Sequence, residues 1–122
     1  MKIKLIFDNE TIRAELYDTP SGKEIYSKLP YKASIHTWGN EIYFSIPVNV
    51  LLESEARSTL EVGELAFYPP ISAFCIFYGP TPISSGDKPE ASGDVNIFGK
   101  VMDEDLEKLK RIRGENVKVE RL

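Results

Sequence analysis

Thr37-Trp38-Gly39-Asn40-Glu41-Ile42-Tyr43-Phe44 places a two-residue pair, Gly39-Asn40, between runs rich in aromatic and β-branched residues. Both residues of the pair tolerate positive φ, and such a pair between two strand-like runs is a strong β-hairpin signal. The flanking strands reach from Tyr31 to Trp38 and from Glu41 to Ile46, where Pro47 ends the second. Alternation turns Ile42 and Phe44 toward a core and leaves Glu41 and Tyr43 on the opposite face, beside Trp38.

Working outward, the same two-residue period recurs. Lys2 to Phe7 presents Ile3, Leu5 and Phe7 on one face, and Thr11 to Tyr17 presents Ile12, Ala14 and Leu16. With Asp8-Asn9-Glu10 as the turn, these make an opening hairpin. Asp18-Thr19-Pro20-Ser21 then starts a short helix, Thr19 capping free amides and Pro20 losing nothing at the first helical position. Pro30 stops it. On the other side, Asn49 to Thr59 reads as a polar loop, and Leu65 to Tyr68 and Ala73 to Tyr78 as aromatic strands around Pro69-Pro70. Gly79 to Gly93 reads as a long loop and Val95 to Val101 as a strand. Asp103 is expected to cap a second helix with Leu106, Leu109 and Ile112 as its apolar stripe and Glu104–Lys108 and Glu107–Arg111 as i,i+4 pairs. Gly114 follows it, and Val117 to Leu122 closes the chain as a strand. Eight strands and two amphipathic helices predict a mainly β fold: a closed or nearly closed antiparallel eight-stranded barrel with two short capping helices, one domain over residues 1–122.

Composition narrows the function classes. The chain has 122 residues, 42% hydrophobic and 28% charged, enough to build a core without metal or disulfide. Its formal charge is −4 and no basic run exceeds Lys110-Arg111, which argues against nucleic acid and against an anionic membrane surface. The uncharged stretch Leu65–Gly86 is interrupted by Pro69, Pro70, Gly79, Pro80 and Pro82 and is no membrane helix. One cysteine, Cys75, requires no oxidising compartment, and a cytoplasmic protein without a cofactor is expected.

Chemistry-bearing residues are few. His36 is the only histidine, which excludes a histidine metal cluster and leaves a Cys75–His36 dyad as the one nucleophilic arrangement to weigh. A hydrogen-bonded strand histidine and a buried, inert cysteine inside Phe74-Cys75-Ile76-Phe77 are the better readings. Glu41 stands out as a carboxylate among aromatics. Five of the 13 aromatic residues lie in Leu65–Gly86, about twice what even spacing would place there. Because strand residues alternate, they cannot all face one core, and an outward apolar surface is expected there.

The expected element order resembles that of cyclophilins, and Asn96-Ile97-Phe98-Gly99-Lys100-Val101 before the helix resembles their Phe-Gly-Lys-Val segment. Trp38-Gly39 with Glu41-Ile42-Tyr43-Phe44, Pro47-Val48-Asn49-Val50, Tyr68-Pro69-Pro70 and Gly79-Pro80-Thr81-Pro82 resemble a family of small prokaryotic cyclophilin-like proteins of uncharacterised function. The resemblance implies the barrel fold. The sequence departs from prolyl isomerases: there is no Phe-His-Arg segment, no glutamine, and no arginine between Arg13 and Arg57, and Val95 stands where their pocket histidine is expected. The reading that follows is a binding protein, without the standard catalytic residues, that holds a peptide or small molecule in an aromatic groove. Trp38, Glu41, Tyr43, Tyr68, Pro69 and Phe77 would line it, with Asn96 as a second polar contact. The alternatives are an isomerase with a non-standard site and a homodimerising interaction module.

Overall fold

The computed structural model describes residues 1–122. The two opening alternating runs form strands β1 (Lys2–Phe7) and β2 (Thr11–Leu16), and helix α1 (Pro20–Ser27) follows with Thr19 accepting from the Gly22 amide. The hairpin region gives β3 (Tyr31–Ser34), β4 (His36–Trp38) and β5 (Glu41–Ser45). Next come β6 (Arg57–Thr59), β7 (Glu64–Tyr68), a 3₁₀ turn at Pro69–Ile71 and β8 (Ala73–Phe77). The twelve-residue β9 (Glu90–Val101), a 3₁₀ helix at Asp103–Arg111 and β10 (Asn116–Arg121) complete the chain.

Ten strands form one antiparallel sheet in the order β3-β10-β1-β2-β9-β7-β8-β5-β4, with β6 on β9. The hydrogen-bonded ladder is therefore open, and a closed eight-stranded barrel is not what the chain forms. The expected strand Tyr31–Trp38 changes partners at Ile35: its first half pairs with β10 and its second with β5. The two ends of the sheet are joined by the chain itself, not by hydrogen bonds. The other new strand, β6, and the first half of β9 lie in segments that read as loops, because they are short or polar.

The second helix also differs from expectation. It begins after Met102 without a side-chain cap, so Asp103 is inside it, and it winds with three residues per turn. Its ion pairs are accordingly i,i+3, Lys108 to Asp105 and Lys110 to Glu107, in place of the i,i+4 pairs. A stripe spaced by three, Leu106, Leu109 and Ile112, suits this winding: Leu109 is in the core and the other two pack against it. Acidic residues fill the first turn and basic ones the last, matching the helix dipole.

Two apolar clusters sandwich part of the sheet. The main core holds 22 buried residues, among them Ile3, Leu5, Ile42, Phe44, Phe67, Phe74 and Phe98. A second cluster of seven lies on the other face, where Leu60, Ala91 and Val95 cover Ala66, Ala73, Cys75 and Phe77. This second core explains part of the uncharged stretch: every residue of β8 is buried, and its outward side chains Ala73, Cys75 and Phe77 all belong to this cluster.

Candidate functional site

The hairpin tip carries one end of the site. Gly39 takes φ of +59° while no positive φ occurs at Asn40, the pattern of a type II′ turn. The segment Gly79–Pro82 folds over it. Asn40 donates to the Pro80 carbonyl from both its backbone amide and its side chain, each at 3.1 Å, and its own carbonyl accepts from the Tyr78 amide at 2.9 Å. Trp38 and Glu41, directly opposite each other at the turn, are held in place by this clasp.

From the tip, the outward face of β4, β5, β8 and β7 descends as cross-strand rows. Trp38, Glu41 and Phe77 form one row, His36, Tyr43, Cys75 and Ala66 the next, and Ser45, Ala73 and Tyr68 a third. A concave pocket of about 340 Å³ opens on this face. Trp38, Tyr43 and Tyr68 supply aromatic walls, Ile71, Ala73 and Cys75 the apolar floor and end, and Ser92 one edge. Glu41 lines it as the only ionic side chain.

The electrostatics of Glu41 are unusual for this protein. Three carboxylates are buried: Glu41 at 7%, Glu64 at 8% and Asp105 at 1% exposure. Glu64 accepts a two-point contact from Arg57, at 3.0 and 2.7 Å. Asp105 accepts from the Arg13 amide and guanidinium and pairs with Lys108, which holds its pKa down at about 2. Glu41 has no cation. Burial pushes its pKa up from 4.5, and only the neighbouring Cys75 thiol favours its charged form. Cys75 is itself driven well above the usual thiol range, by burial first and then by the Glu41 charge. That thiol is 2% exposed and His36 is exposed on the far side of Tyr43, whose ring it meets at 5.3 Å, so no Cys–His dyad forms.

Four of the seven sequence-predicted residues thus meet in one pocket: Trp38, Glu41, Tyr43 and Tyr68. The other three do not line it. Phe77 has the right face but is 1% exposed beneath the second core. Pro69 opens the 3₁₀ turn, and it is Ile71 from that turn that reaches the pocket. Asn96 points to the other side of the sheet, because it pairs with core-facing Phe67 and an extra residue in β9 shifts the register after Leu65. There its amide donates to Ser21 Oγ and the Leu51 carbonyl, both at 3.0 Å, and its oxygen accepts from the Glu53 amide at 2.8 Å. It ties α1 and the Leu51–Glu53 loop to the sheet. Ile71, Ala73, Cys75 and Ser92 escaped the sequence reading. Ala73 and Cys75 share the outward phase of Tyr43 and were findable from pairing, whereas Ser92 sits in a stretch that reads as loop.

A family model described as cyclophilin-like matches residues 1–120. The chain belongs to the cyclophilin-like family. This cyclophilin-like chain resembles a hypothetical protein from Archaeoglobus fulgidus, solved in solution, with 33% identity and a TM-score of 0.80 over 100% of this chain and 95% of that one. It also shares its fold with McbB, solved in complex with tryptophan, at 18% identity and a TM-score of 0.69, covering 98% of this chain and 44% of McbB. No curated protein matches it. Compared with prolyl isomerases, the cyclophilin-like pocket here has no arginine or lysine on its walls. Glu41 and Cys75 are two potential metal ligands where a structural site needs three or four, and no cluster of three His, Cys, Asp or Glu side chains exists to hold an ion. No helix is long and apolar enough to cross a membrane.

Proposed function

We propose that this cyclophilin-like protein is a binding module that takes a small organic molecule, or one compact side chain of a peptide, in the pocket between Trp38, Tyr43 and Tyr68. The observation that carries this reading is a concave, mostly apolar site with a single buried polar anchor, Glu41, inside it. Sites of this composition bury ligand area against aromatic walls and use one or two polar groups to fix orientation. Glu41 accepts a hydrogen bond from the ligand and sets its direction. The absence of a positively charged donor in the pocket argues for binding without amide rotation, since stabilising a twisted prolyl amide calls for such a donor.

Trp38 is the only tryptophan, so its fluorescence reports occupancy directly. A panel of small aromatic and amine compounds, tryptophan among them because McbB was solved with it, is titrated against the wild type, Trp38→Ala and Tyr68→Ala. For the Trp38→Ala variant, amide NMR shifts replace the fluorescence. Binding that weakens about tenfold or more in the variants supports the module. Ligands that bind all three proteins alike would place the site elsewhere. An X-Pro peptide whose cis–trans exchange is accelerated by the wild type would replace the binding reading with an isomerase.

A further inference from the structure

Resting on that reading of the pocket, we propose that its ligand is a compact organic cation, an alkylated ammonium group seated among Trp38, Tyr43 and Tyr68 with Glu41 as its counter-charge. Glu41 is the one buried acid without a cationic partner. The fold supplies Arg57 to Glu64 and supplies Arg13 with Lys108 to Asp105, yet it leaves Glu41 more than nine-tenths buried with no ion pair. A buried acid without a cation either keeps its proton or is held ionised by a charge brought to it. The open side of Glu41 is the pocket, so a cation that holds it ionised enters from there.

The walls say which cation. Three aromatic side chains line one small space, and the negative face of an aromatic ring attracts a cation within about 6 Å. A primary ammonium carries three strong donors and needs three good acceptors; beyond Glu41 the side chains offer the Ser92 hydroxyl, the Tyr43 and Tyr68 phenols, whose oxygens accept weakly because their lone pairs delocalise into the rings, and the protonated, poorly accepting Cys75. An alkylated ammonium has few or no donors to satisfy, gives up less hydration, and buries its methyl groups against the rings. No lysine, arginine or histidine lines the pocket to repel it. The net charge of −4 attracts a cation from a distance.

Choline and its uncharged isostere 3,3-dimethylbutan-1-ol have the same shape and differ in one charge. Both are titrated into the wild type and Glu41→Gln, with Trp38 fluorescence and amide NMR as readouts. The expected result is choline binding at least about tenfold tighter than the alcohol to the wild type, with the preference reduced severalfold in Glu41→Gln. The wild-type comparison stands without any variant. Equal binding of the two compounds would overturn the cation while leaving the pocket as a ligand site. Failure of both to perturb Trp38, Tyr43 and Tyr68 at millimolar concentration would count against the cation and the pocket together.

Discussion

The Cys75 thiol and the Glu41 carboxyl face one pocket from neighbouring strands, and each modifies the protonation of the other behind the larger effect of burial. Burial and the Glu41 charge keep Cys75 a thiol, and the protonated thiol is the one group that eases ionisation of Glu41. A cysteine in that state is a poor nucleophile. Native protein at pH 8 should therefore react with a thiol reagent at least about 100-fold more slowly than the unfolded chain. Labelling followed by mass spectrometry checks this, and rapid modification would mean that the pocket floor is open.

Glu41 also sets a pH dependence whose sign is opposite to that of a paired acid. Its folded pKa lies above 4.5, so the folded state holds the proton more tightly than the unfolded chain does. Stability is highest when the group is protonated and falls as pH rises through the folded pKa. Glu41→Gln cannot ionise, so it should be more stable than the wild type at pH 7, with the difference shrinking as pH falls below 4.5. Urea unfolding at pH 7 and below pH 4.5 measures it.

Asp105 behaves in the reverse manner. Its pKa of about 2, below the ordinary 3.8, contributes stability that is fully present above the unfolded value. That contribution drains away as pH falls from about 5 toward 2. Arg13 is about half exposed, so solvent screening limits the expected gain to about 1–2 kcal/mol. Asp105→Asn should lose that amount at pH 7 and unfold with a flatter acid limb, read by circular dichroism along a pH series.

The hairpin tip offers a structural test of the site. A Cβ at Gly39 would stand 2.8 Å from Pro82 Cδ and 2.9 Å from the Thr81 Cα, on a backbone already at φ +59°. Gly39→Ala should destabilise the fold by about 2 kcal/mol or more. It should also change Trp38 fluorescence before unfolding begins, because the clasp from Gly79–Pro82 is displaced. Asn40→Ala, which removes only the side-chain hydrogen bond to Pro80, should cost about 1 kcal/mol.

What the sequence made legible was local. Thr19 and Pro20 announced α1, Gly39-Asn40 announced the hairpin, and the phase of β5 put Glu41 and Tyr43 on the face that bears the pocket. The second core was not legible, because its lid comes from Leu60, just past β6, and from Ala91 and Val95 in the first half of β9, segments with no periodicity of their own. That lid is why Phe77 is buried where alternation alone predicts an open wall. Asn96 failed for a different reason: one extra residue in β9 reverses which face a side chain occupies, and nothing in Val95–Val101 marks it. The winding of the second helix was ambiguous because Leu106, Leu109 and Ile112, three apart, suit α and 3₁₀ geometry alike.

Strand β8 is buried along its whole length, between two cores, and is hydrogen-bonded to β5 on one side and β7 on the other. Its amide protons can meet solvent only when the entire molecule opens, so their deuterium exchange measures the global stability. Ser92, exposed in the first half of β9, is released by far smaller openings. The pocket therefore has a back wall that moves with the whole molecule and a front edge that can breathe alone. A guest entering it would slow exchange at the edge while leaving the rate in Phe74–Phe77 tied to the total free energy of unfolding.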